Sequence, residues 1–171
     1  SSAGGFGSAV TYVTARATWP KAKSFLIDDS GPVFVGDSFP ASYKPIWGES
    51  WNLDVSLFAF CPECKTGGDW SSAYTKVATM FPDDRMSLLT TEQDVTISTY
   101  FQQDGATFQK HVYELASKVF DPSKNMRYFI QTGSTHTMLG DESKHTTGGV
   151  NVADFIKAQV TGDANWKSIK P

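Results

Sequence analysis

The chain lacks most of the features that would make its role plain at once. It has no block of like charge, and its formal net charge of -3 gives no pull toward nucleic acid or an acidic membrane surface. No apolar run approaches the roughly 18 residues of a membrane span. No N-x-S/T sequon, internal repeat or low-complexity tract occurs. Cysteine is scarce: Cys61 and Cys64 are the two present, in Cys61-Pro62-Glu63-Cys64. Such a pair can be half of a zinc site, a redox pair or a local disulfide. No second C-x-x-C or H-x3-H supplies the rest of a four-ligand zinc set. A redox pair belongs at a helix start after a strand, whereas this one lies in a stretch rich in Phe, Gly and Trp. A structural disulfide is the favoured reading, with an oxidising compartment as its corollary.

What is present suits one ordinary domain of 171 residues, with 40% hydrophobic and 19% charged residues. A chain of this size buries roughly 70% of its unfolded surface, enough for a substantial core. Phe6, Ala9, Val10, Val13 and Ala17 recur at helical spacing until Trp19-Pro20. Ala22 to Ile27 reads as a strand ending in the loop signal Asp28-Asp29-Ser30-Gly31-Pro32. Residues 33–70 have little regular period and many aromatics, and read as a cap-like excursion with short helices around Ser42 to Trp47 and Asn52 to Phe60. A helix over Ser71 to Phe81 precedes a strand over Arg85 to Thr90. A helix marked by Phe108, Val112, Leu115 and Val119 precedes a strand over Met126 to Thr132. A last helix carries Val152, Phe155, Ile156 and Val160, and the polar tail Thr161 to Pro171 is expected to fray. Strands alternating with helices imply a mostly parallel sheet flanked by helices.

In such a sheet, chemistry collects at the carboxyl ends of the strands. Ser2, in Ser1-Ser2-Ala3-Gly4-Gly5, supplies most of a nucleophile elbow, G-x-S-x-G. Asp94 follows the second strand and His136 follows the third. Ser, Asp, His is the chain order of an α/β-hydrolase triad. Serine needs a base to take its proton, imidazole can do so near neutral pH, and a carboxylate behind the ring fixes its tautomer. The N–H of Ala3, at a helix start, suits an oxyanion. Asp28 and Asp29 are rivals to Asp94 for the acid. Taken alone, Asp94 before Val-Thr-Ile-Ser also suits a helix cap. His145 is a weaker base candidate, and His111 is expected on a helix surface.

The blocks "SSAGGFG", "AKSFLIDDSGP", "TTEQDVTIS" and "YFIQTGSTHTML" resemble the pectin acetylesterase/Notum family of serine carboxylesterases. The resemblance runs from Ser1 to about Ile156. It implies an α/β fold, 1–171 forming the C-terminal half of an α/β-hydrolase catalytic domain whose upstream half completes the sheet and gives a second oxyanion donor. It implies Ser2 as nucleophile, Asp94 as acid and His136 as base, acting on short acyl esters, acylated carbohydrate among them, with no cofactor or metal. A secreted or periplasmic location goes with it. Phe34, Phe39, Tyr43, Trp47, Trp51, Phe58 and Trp70 would form a cap core, with one or two lining an acyl site or stacking on a sugar. Two alternatives come from other classes: a catalytically inactive binding relative, and an N-terminal nucleophile hydrolase using Ser1 with its own amine as base.

Overall fold

A computed structural model describes Ser1–Pro171, apart from the side chains at 66 and 67. Period-two alternation in three short runs builds its centre. Strands β1 (Phe25–Asp29), β2 (Arg85–Thr91) and β3 (Met126–Gln131) form a parallel sheet in the order β1-β2-β3. Leu26, Met86, Leu88, Met126, Tyr128 and Ile130 turn to one face. That face receives α1 (Ala3–Thr18), α5 (Ser72–Met80) and α7 (Gly105–Leu115) through Phe6, Tyr12, Val77, Phe108 and Leu115. The alternate residues Ile27, Leu89 and Phe129 turn to the other face. There α8 (Val152–Thr161) docks with Val152 and Phe155. Gln159 of α8 is fully buried, and its amide donates to the C=O groups of Leu26 and Arg85. The arrangement is thus α/β, a parallel sheet with helices on both faces.

The excursion holds α2 (Tyr43–Ser50), α3 (Leu57–Phe60) and α4 (Pro62–Gly67). Its Phe34, Phe39, Trp47, Leu53, Leu57 and Trp70 are buried in the same cluster as α1, α5 and α7. Cys61 and Cys64 are joined by a disulfide at the start of α4, both fully buried.

Beyond shifts of a residue or so at element ends, β1 and the tail differ from the sequence reading. β1 begins later and takes in Asp28 and Asp29, because both carboxyls find buried partners from distant segments. The tail does not fray. Trp166 is buried, with the guanidinium groups of Arg85 and Arg127 5.0 and 5.4 Å from its ring centre. Ile169 then bridges in parallel to Phe129: its N–H donates to Tyr128 C=O, and its C=O accepts from Ile130 N–H, both at 2.9 Å.

Candidate active site

Parallel register brings the ends of β2 and β3 level, and the chain continues to pair beyond them. Glu92 N–H donates to Gln131 C=O, Gln93 N–H to Gly133 C=O, and Val95 N–H to Ser134 C=O, at 2.9–3.0 Å. Thr91 Oγ1 donates to Thr135 C=O at 2.8 Å. These bonds carry Asp94 to His136. Nδ1 of His136 lies 2.8 Å from Asp94 Oδ2 and 3.0 Å from Oδ1. Asp94 is fully buried, and its Oδ1 also caps α6 (Val95–Tyr100) by accepting from the N–H groups of Thr96 and Ile97 at 3.0 Å. Capping α6 therefore does not take the Asp94 carboxylate away from His136. A carboxylate in contact with Nδ1 favours the tautomer protonated there, which leaves the Nε2 lone pair free to accept a proton. The His136 side chain is 21% exposed, so it stays reachable from solvent.

Ser2 stands immediately before α1 with φ 57° and ψ -127°, a backbone conformation rare for a residue with a Cβ. Its N–H donates to Asp29 C=O at 2.7 Å, and its C=O accepts from Gly5 N–H at 2.7 Å. Ala3 N–H has no backbone acceptor among the described residues. Close approach of this turn to β1 depends on Gly5 and Gly31. A Cβ on Gly5 would lie 2.5 Å from Asp28 Oδ1, and one on Gly31 would lie 2.2 Å from Phe6 N. Ser2 and His136 thus occupy the same end of the sheet. Among the described residues no hydrogen bond joins the Ser2 hydroxyl to His136.

The rivals for the acid point to opposite faces, as strand alternation requires. Asp29 is fully buried, and its carboxylate accepts from the N–H groups of Met138 (3.0 and 3.2 Å) and Leu139 (3.1 Å). Asp28 lies on the α1 side, where Oδ2 accepts from Tyr74 OH at 2.9 Å and Oδ1 has no partner. Burial pushes the Asp28 carboxyl up to about 7, Asp29 beside it adds to the rise, and the Tyr74 hydrogen bond opposes it. Among the described residues Asp94 supplies the one carboxylate in contact with His136.

His145 is buried and its Nδ1 pairs with Gln131 Oε1 at 3.1 Å, away from Asp94. His111 is half-buried against the Phe34 ring rather than out on the helix surface. A cleft of about 340 Å³ runs beside His136, lined also by Gln131, Thr135, Lys144 and His145. Phe34, Phe39, Trp47 and Trp70 are core residues, while Trp51, 40% exposed, reaches the surface. No group of three or more His, Cys, Asp or Glu among the described residues could hold a metal ion. No helix among them is long and apolar enough to cross a membrane. No family model matches the chain, and no curated protein or solved structure matches it. Sequence reasoning missed what Asp29, Ser30 and Thr137 do. The Asp-Ser-Gly turn after an apolar strand was the available signal.

Proposed function

We propose that the chain carries the catalytic groups of a serine carboxylesterase, arranged as in an α/β-hydrolase. The observation that carries this reading is the Asp94 carboxylate on Nδ1 of His136, at the sheet end where the Ser2 turn opens α1. His136 Nε2 takes the Ser2 Oγ proton as Oγ attacks the ester carbonyl carbon. Asp94 stabilises the imidazolium. The tetrahedral oxyanion receives the free N–H of Ala3. Collapse breaks the ester C–O bond, and His136 returns the proton to the leaving alcohol. Water, deprotonated by the same ring, then attacks the acyl carbon, and the bond to Ser2 Oγ breaks as the ring returns that proton to Oγ. Each step uses side chains, backbone and water.

The resemblance to the pectin acetylesterase/Notum family supports short, acetyl-like acyl groups, acylated carbohydrate among the substrates. The Cys61–Cys64 disulfide supports an oxidising, extracytoplasmic location. Turnover of a chromogenic acetyl ester tests the reading. Ser2→Ala should lose on the order of 10⁴-fold or more in kcat, because triad members act as a unit. Ser1→Ala should keep most activity. The reverse pattern, Ser1→Ala inactive and Ser2→Ala active, would move the nucleophile to Ser1 and overturn the assignment.

A further inference from the structure

Five residues other than glycine have positive φ among those described: Ser2, Ser30, Asn52, Gln102 and Thr137. Three of them, Ser2 (57°), Ser30 (63°) and Thr137 (63°), meet at the end of β1. Strained backbone of this kind persists only where its surroundings over-determine it, and it gathers at working sites. Here the surroundings are Asp29. Its C=O accepts the Ser2 N–H at 2.7 Å. Its carboxylate accepts the N–H groups of Met138 and Leu139. Ser30 extends the grip, its hydroxyl accepting Thr137 N–H at 3.2 Å and lying 3.4 Å from Asp29 Oδ1. The three amides that follow His136 therefore close on Asp29 and Ser30, and the amide of Ser2 closes on the same Asp29. The Asp94–His136 pair is built separately, by the bonds that continue β2 and β3. The proposed site has two halves, and Asp29 bonds to both.

Resting on the esterase reading, we infer that Asp29 is a positioning residue: it sets the distance and direction from Ser2 Oγ to the His136 ring without touching substrate. The residue type fits the task. A carboxylate accepts at both oxygens, whereas Asn would turn an NH₂ toward a backbone N–H.

The test uses Asp29→Asn and Ser30→Ala in the intact protein, alongside Ser2→Ala and His136→Ala. Readouts are kcat and KM on a chromogenic acetyl ester, the pH profile of kcat/KM, and the low-field proton NMR signal of His136 Nδ1–H. Asp29→Asn should lower kcat by about 100-fold, the effect of a misplacement near 1 Å, with KM changed by less than about threefold. The Nδ1 proton signal should remain, because Asp94 still holds the ring. The pH profile of kcat/KM should keep its shape at the lower level, because the residual rate still runs through His136. Ser30→Ala should lower kcat about tenfold, as one of the tethers is lost. A folded Asp29→Asn with kcat within about threefold of wild type overturns the inference. If Asp29→Asn does not fold, Ser30→Ala decides: the tenfold loss supports the inference and an unchanged kcat overturns it. Inactive Ser2→Ala and His136→Ala beside fully active Asp29→Asn and Ser30→Ala would remove the positioning role alone. Equal turnover by wild type and Ser2→Ala would remove the esterase reading, and the role of Asp29 with it.

Discussion

Asp28, Asp29 and Asp94 are buried carboxyls near one end of the same sheet, and the donors around each decide what it does. Asp94 meets two amides and an imidazole, and Asp29 meets the two amides of Met138 and Leu139. Asp28 meets Tyr74, whose single hydroxyl proton also faces Gly31 C=O at 3.2 Å. Burial favours the neutral carboxyl and lifts it from its ordinary 3.8 to about 7, against the hydrogen bond that Tyr74 donates. A folded-state pKa above the unfolded value means that the native protein binds the proton more tightly. The stability Asp28 contributes is full below about pH 4 and is lost as the pH rises to about 7. The loss is on the order of a few kcal/mol. Asp28→Asn, neutral at every pH, should remove this dependence. Denaturant unfolding of both proteins at about pH 5 and about pH 8 should show wild type losing stability relative to Asp28→Asn. Parallel pH profiles would show that Asp28 is ionised in the folded protein.

The contact between α1 and β1 separates two glycines that look alike in the sequence. A Cβ on Gly4 meets nothing within 4 Å, whereas a Cβ on Gly5 would meet Asp28 Oδ1 at 2.5 Å, Asp29 O at 2.8 Å and Gly31 N at 2.9 Å. Gly4→Ala should therefore stabilise by up to about 1 kcal/mol through helix propensity. Gly5→Ala should destabilise by about 1–3 kcal/mol, since two of its three close neighbours are backbone atoms. Thermal unfolding of the two variants checks this, and the opposite order would mean that α1 sits farther from β1. The same junction marks where sequence reading stops. The helices around Phe6, Val77, Phe108 and Phe155 and the strands β2 and β3 were legible, because a periodic apolar face is a local signal. β1 was placed too early, because paired aspartates read as a turn. Their burial depends on Tyr74 and Met138, 46 and 109 residues away, which no local pattern announces. Asp94 and His136 were legible for the same reason as the strands, since each follows an apolar run, and Ser2 was legible from Ser-Ala-Gly-Gly at the start of a helical period. The tethering role of Asp29 was not, since it exists only once the loop after β3 folds back on β1.

Three parallel strands point the same way, so Asp94 and His136, which follow β2 and β3, are delivered to one end, and the bond from Ser2 N–H to Asp29 C=O brings Ser2 to the same end. The far edge of β3 is secured by the tail, through the bridge at Ile169 and the buried Trp166. One Trp and one Ile in a polar stretch carry no period, which is why the tail read as loose. The layered arrangement thus gathers Ser2, Asp94 and His136 from three separate segments at one end of the sheet. That Ser2 is the activated nucleophile is the claim on which the rest depends, and covalent trapping tests it most directly. The intact protein and its His136→Ala variant are treated with a fluorophosphonate, digested, and mapped by mass spectrometry. The account predicts a single adduct on Ser2 in the wild type, with labelling slowed by roughly 10³-fold or more in His136→Ala. An adduct on Ser1 or elsewhere with Ser2 unmodified, or equal labelling in the two proteins, would contradict it.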